Sequence, residues 1–235
     1  MVLRAQEPVG LRVAVGGMGS AYWGDYSEKT RAWTRFNPGF MLSLAMERQR
    51  LLQIQAQFGV GSITDQHDLG QPDLPAEVTA VPFIATDFVL GEVRLRVRPI
   101  RQGPIQPYAA AGLGFMSFSP RDERGRFLAD AFLTRLTGED YPTLTVQTPL
   151  SVGVDVRLSP LATLGAEYTL RFTGTDYLDN TGRLGQRPGN DRVHGPTLWL
   201  ALNLSARPEP VVPPVEPLPP PTPPDQIWNP FWDFP

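Results

Sequence analysis

Apolar residues recur at every second position through eight separate stretches of this chain. The clearest stretch is 193–204, where Leu198, Leu200, Leu202 and Leu204 share one face and Thr197, Trp199, Ala201 and Asn203 share the other. Strict alternation means an extended strand with two unlike faces. The same pattern predicts strands over 9–17, 36–47, 52–61, 78–98, 106–118, 148–158 and 164–172. In the third of the eight, Leu52, Ile54, Ala56, Phe58 and Val60 oppose Gln53, Gln55, Gln57, Gly59 and Gly61. An aliphatic face repeated this often is costly in water and natural in lipid.

The opposite faces carry Arg12, Glu47, Glu92, Arg94, Arg96, Asp155, Arg157, Glu167 and Arg171, together with glutamines and glycines. Both signs are present, so these groups can pair inside a polar lumen. A soluble eight-stranded calyx would put the apolar face inward. Its exterior would then be the charged face, and its interior a face almost free of charge. The pattern favours the membrane barrel: mixed charges with glutamines and glycines suit a lumen, which leaves the nearly uncharged face outward, where lipid tolerates it and water does not. Asp87 breaks the apolar parity of its strand, which predicts a bulge at 86–88 or a position above the hydrocarbon.

The connections alternate long, short, long, short, long, short, long. That asymmetry fits long external loops and tight periplasmic turns, with both termini periplasmic. In the longest connection, Ser119-Pro120-Arg121-Asp122 reads as a helix start. Phe127, Leu128, Ala131, Phe132 and Leu136 follow at helical spacing, so a short amphipathic helix is predicted there.

No apolar run reaches about 18 residues, which excludes a transmembrane helix, whereas a barrel strand needs only about 9–11. The segments are expected to be 1–8, a barrel over 9–205, and a tail over 206–235. The net charge of −3 and the lack of a basic stripe argue against nucleic-acid binding. Without cysteine there is no disulfide framework, thiolate metal site or cysteine nucleophile. His67 and His194 have no partner at metal-ligand spacing, and neither a metal nor a cofactor is expected. Met1 to Gln6 is too short for a signal peptide. The start is expected to be a truncated or engineered end, with export inferred from the fold.

With eight alternating strands and this loop rhythm, 9–204 resembles the small outer-membrane barrels of the outer-membrane protein A type. Pro107-Tyr108-Ala109-Ala110-Ala111-Gly112-Leu113-Gly114-Phe115 is similar to a Pro-Tyr-x-x-Ala-Gly-x-Gly segment of those barrels. The last strand resembles their assembly signal, a glycine followed by alternating hydrophobics, but ends in Leu204 rather than an aromatic. The resemblance implies an all-β, antiparallel, up-and-down transmembrane barrel in contact with outer-membrane lipid.

An eight-stranded barrel is just wide enough for its own side chains. The lumen charges are therefore read as a salt-bridged plug rather than an ion path. Barrels of this type can also be outer-leaflet lipid enzymes, which use a histidine with a serine and an acid near the rim. Ser62, Asp65, His67, Asp68, Asp191 and His194 lie near strand ends, but none is spaced as a triad. Asp176, Asp179, Asn180, Asn190 and Asp191 could offer oxygens to calcium. Turn formation by Asx residues is the simpler reading. Phe36, Phe40, Phe83, Phe115, Phe118, Tyr168 and Phe172 are assigned to interfacial girdles. Tyr22, Trp23, Tyr26 and Trp33 are expected to cap the barrel.

Twelve of the 26 prolines fall at or after Pro208. Residues 208–224 should favour a stiff polyproline II spacer. In the resembled family such a linker often leads to a peptidoglycan-binding domain, whereas here Ile227, Trp228, Pro230, Phe231, Trp232 and Phe234 follow it. These bulky groups form a candidate docking peptide for a protein partner at the periplasmic side or in the membrane. The expected function is a non-enzymatic anchor or accessory subunit of an envelope complex. The alternatives are a lipid-modifying enzyme and a small-solute channel.

Overall fold

A computed structural model describes residues 10–24, 35–49, 51–66, 83–100, 103–129, 134–136, 138–184 and 189–205. The strands are β1 (Gly10–Trp23), β2 (Asn37–Gln49), β3 (Leu52–Gln66), β4 (Phe83–Val97), β5 (Ile105–Asp122), β6 (Leu144–Arg157), β7 (Ala162–Thr173) and β8 (Arg192–Asn203). They pair antiparallel in chain order, and β1 pairs with β8 to close the barrel. The segments before residue 10 and after 205 lie outside the described residues, and with them the six residues assigned to the docking peptide.

The register sets the tilt. Paired residues run around the wall from Leu164 through Leu200, Val15, Leu42, Phe58, Gly91 and Phe115 to Val146. The Val146 carbonyl then accepts the N–H of Gly174, ten residues beyond Leu164. A shear of that size inclines the strands by roughly 35–45° to the axis.

The apolar face points outward. Leu113 is 71% exposed and Leu198 64%, while Arg94 on the inner face is 1% exposed. This removes the calyx alternative. On β3, β4 and β5 the outward face turns polar above Val60, Val89 and Phe115, at Ser62, Asp87 and Ser117. Those positions mark one edge of the hydrocarbon band. Asp87 lies at that edge and pairs with Arg121 at 3.4 Å.

The edge position of Asp87 replaces the bulge alternative, and two further expectations need correction. The register of β3 with β4 runs unbroken through Ser62 opposite Asp87, so no bulge occurs at 86–88. Ser119 to Asp122 do not start a helix; they extend β5, pairing with Asp87 to Ile84 of β4. Asp122 then holds a turn by accepting the N–H groups of Arg124 and Arg126. Strand pairing outweighs the helix-start pattern of these four residues. Phe118 faces inward, buried at 1%, and does not belong to the girdle. Parity with Phe115, which faces out, requires this. β1 and β3 are also longer at their loop ends than the alternation suggests, where the inner face changes from polar to apolar at Met18 and Ile63, and β6 begins earlier, at Leu144.

Inward glycines admit the large lumen side chains. A Cβ on Gly112 would lie 2.2 Å from the Val93 carbonyl oxygen and 2.9 Å from the Arg94 Cγ. A Cβ on outward Gly91 would meet nothing within 4 Å. Gly112→Ala is therefore expected to destabilise the barrel by about 1–3 kcal/mol, as overpacking does. Gly91→Ala should leave the unfolding midpoint in lipid vesicles unchanged.

Candidate functional site

The lower lumen, on the side of the short connections, is filled by a buried charge network. Arg94 from β4 is its centre. Its Nη1 donates to Glu167 Oε1 at 2.8 Å and to Ser151 Oγ at 3.0 Å. Its Nη2 donates to Gln55 Oε1 at 3.0 Å and to Gln57 Oε1 at 2.5 Å. Tyr108 donates its hydroxyl to the other Glu167 oxygen at 2.7 Å. One layer outward, Glu92 accepts from Arg171 Nε at 3.2 Å and from Gln147 at 3.2 Å.

Toward the short connections, Asp155 collects arginines. Arg12 reaches it at 2.9 Å, Arg96 at 3.0 Å and Arg98 at 3.8 Å. Gln53 Oε1 accepts from the same three guanidinium groups at 3.1, 2.9 and 2.7 Å. Arg96 also stacks over Tyr108 at 3.5 Å and lies 5.3 Å from the centre of the Trp199 ring. Such aromatic faces stabilise a desolvated cation. The network is a plug because each charge bridges strands from different sides of the wall.

Of the nine residues assigned to this network, eight join it. Arg157 does not; it is exposed at the lining of a polar vestibule of about 550 Å³. Arg12, Gln53, Arg98 and Asp155 also line that vestibule. Glu47 sits at its edge, bound to Arg98 at 3.2 Å. Arg98 and Tyr108 were missed as network members, although the parity of their strands already places both inward.

The outer half of the lumen is different in kind. Met18, Met41, Ile63, Ile84, Phe88, Leu90, Met116 and Phe118 form an apolar core. The β7–β8 connection packs into this core through Leu178, with Asp179, Asn180 and Thr181 also fully buried. Asn180 takes a left-handed backbone with φ 65°, which asparagine tolerates. Its side chain accepts from the Tyr141 hydroxyl at 2.5 Å and donates to Thr134 at 2.8 Å. Tyr141 stacks between Phe118 and Tyr177, at 6.0 and 4.4 Å.

Tyr22 is the link between this loop and the wall. Its hydroxyl lies 2.6 Å from Asp179 Oδ2 and 2.7 Å from Asp191 Oδ1. Asp191 also accepts the Leu178 N–H at 2.9 Å, and Asp179 accepts the Thr181 N–H at 2.9 Å. These oxygens serve protein donors, so the Asx turn reading describes them. The Asp191 carboxyl is pushed well above the usual carboxylate range by burial, reinforced by the charge of Asp179. Burial and the hydrogen bond to Glu139 raise the Tyr177 hydroxyl to about 12.

The rim residues considered for catalysis do not assemble. Ser62 faces outward on β3 and Asp65 inward, buried at 4%. His67 and Asp68 lie outside the described residues, as do Tyr26 and Trp33. His194 faces the lipid side, with Nδ1 2.6 Å from the Tyr168 hydroxyl, whereas Asp191 turns into the lumen.

An inward polar network inside an outward apolar wall defines a transmembrane β-barrel. Closure satisfies its strand hydrogen bonds, as hydrocarbon requires. No protein-family profile matches the sequence, and no curated protein does. Among solved structures, the chain is similar to Neisserial surface protein A, with TM-score 0.51, 12% identity, and coverage of 83% of this chain and 99% of that one. Lesser similarity extends to Ail, the attachment invasion locus protein of Yersinia pestis, at TM-score 0.46 and 12% identity over 83% and 97% of the two chains. The N-terminal β-barrel domain of OprF from Pseudomonas aeruginosa gives TM-score 0.44 and 10% identity over 82% and 96%. The likeness is one of fold: the protein is an eight-stranded transmembrane β-barrel with the architecture of the small outer-membrane barrels.

Glu167→Gln leaves Arg94 without its strongest anion. A loss of about 3–5 kcal/mol in unfolding free energy is expected. In an Arg94→Met background the same change should be nearly silent. Because the Asp191 pKa is higher folded than unfolded, its stabilisation of the loop is complete below the ordinary carboxylate range and declines as pH rises through the folded value. Hydrogen-exchange protection at Leu178 and Thr181 should therefore be greater near about pH 5 than near about pH 8, and Asp191→Asn should flatten that difference.

Proposed function

We propose that the protein is a sealed, non-enzymatic outer-membrane anchor whose segment 206–235 docks a partner on the periplasmic side. The observation that carries this reading is the filled lumen. Arg94 and Arg96 are each 1% exposed and are held from several strands at once. A conducting path would have to displace these groups, and breaking a buried ion pair is strongly unfavourable. The mixed signs also lack the single-sign ring that ion selection uses.

The exit of the chain supports the docking role. β8 ends at Asn203, on the same end of the barrel as the short β2–β3, β4–β5 and β6–β7 connections. Ser205 lines the polar vestibule there. Residues 208–224 supply a proline-rich spacer, and Ile227, Trp228, Pro230, Phe231, Trp232 and Phe234 supply the anchor. Aromatic groups of this kind dominate interface energetics, and a stiff spacer lowers the ordering cost.

Deletion of 226–235 should abolish recovery of an envelope partner in pull-downs from crosslinked cells while the barrel still inserts. Undiminished recovery would sink the docking role. Planar bilayers containing the full chain should show no stepwise conductance, and open-channel steps would overturn the sealed lumen.

A further inference from the structure

Three charged side chains occupy outward strand positions among those whose side chains are described: Asp87, Arg121 and Arg192. Asp87 and Arg121 neutralise one another at 3.4 Å. Arg192 makes no ion pair among the described residues. It is half-buried, with its guanidinium 5.2 Å from the centre of the Trp23 ring and 5.3 Å from that of Phe172.

The register builds this slot. Trp23 and Phe172 are the direct cross-strand neighbours of Arg192, on β1 and β7. Trp23 is itself steadied by the edge of His194, at 6.3 Å and 81°. His194 is buried and held by Tyr168. The aromatic walls are thus fixed before any ligand arrives. A guanidinium flanked by rings keeps its in-plane N–H donors free, in the fork that suits a phosphate.

The height of the slot specifies the ligand. Arg192 stands ten residues from Leu202 on the same outward face of β8. At about 3.4 Å per residue and a tilt near 40°, this is roughly 26 Å along the membrane normal, against an apolar band of about 25 Å. The cation therefore lies at the edge of the hydrocarbon on the long-loop side, where lipid headgroups begin. Below it, Gly17 makes a low point in the wall between Leu198 and Phe40, its neighbours on β8 and β2. An acyl chain can lie there beneath a headgroup held above.

We infer that Arg192, in the slot formed by Trp23 and Phe172, binds the phosphate of an anionic lipid in the leaflet on the long-loop side. The occupant is a lipid rather than a soluble anion, because the slot opens sideways at the hydrocarbon edge and continues into an apolar surface. The site is independent of the lumen and of the chain beyond 205.

Native mass spectrometry of the full chain in micelles tests this, with phosphatidic acid and phosphatidylcholine added in equal amounts. The folded state is confirmed in each sample by heat-modifiable mobility. The wild-type chain should retain phosphatidic acid about tenfold over phosphatidylcholine, the ratio expected for one good charge-assisted contact. Arg192→Gln should remove that preference, and Arg121→Gln should keep it. No preference in the wild type, an undiminished preference in Arg192→Gln, or an equal loss in Arg121→Gln would overturn the site. Displacement of phosphatidic acid by excess inorganic phosphate would overturn its assignment to a lipid.

Discussion

Backbone N–H and C=O groups in hydrocarbon have no water to bond, so every one in the spanning region must find a partner within the chain. Pairing β1 with β8 meets that demand by removing both sheet edges. Much else follows from this closure. The shear that closes the sheet sets the tilt, and the strand number together with the shear sets how much space remains inside. With eight strands, that space is enough for side chains and little more. Inward glycines such as Gly112 become necessary where the arginines of a neighbouring strand must fit.

The lumen solves two packing problems with two chemistries. In the lower part, cations and carboxylates approach from opposite walls and hold the barrel round. Positive charge is most concentrated around Asp155, beside the vestibule, where water can share in its solvation. In the outer part the inner face is apolar, and the β7–β8 connection closes it as the core of a soluble protein would be closed. The Tyr22–Asp179–Asp191 cluster ties that connection to the wall. The burial that raises the Asp191 pKa makes this tie sensitive to pH.

The exterior is nearly uniform until its outer edge. There, among the described residues, one cation is cancelled by a neighbouring carboxylate and another is flanked by aromatic rings. The difference between Arg121 and Arg192 is one of register, since the strand neighbours of Arg192 offer rings and no acid. Among the described residues, a wall that is apolar across the bilayer thus gains charge at its outer edge.

Alternation is a property of the chain itself, because successive side chains in a strand point to opposite faces. The eight strands, their order, their lipid face and most of the lumen charges are therefore legible from residues such as Leu198 to Leu204 and Gln53 to Gln57. Strand ends are not. Ser119 to Asp122 carry local helix-start signals that pairing with β4 overrides. Nor does the pattern tell which inward residues meet. Arg94 reaches Glu167 across the barrel, and Arg157, of the same parity as Asp155, misses the network by lying one step nearer the mouth. Asp176, Asp179 and Asn180 read as turn formers, but the pattern does not tell that 178–181 are buried, because their depth depends on the apolar cup beneath them. Contacts of this kind join residues far apart in sequence, and they exist only once closure, shear and tilt have set which strand faces which.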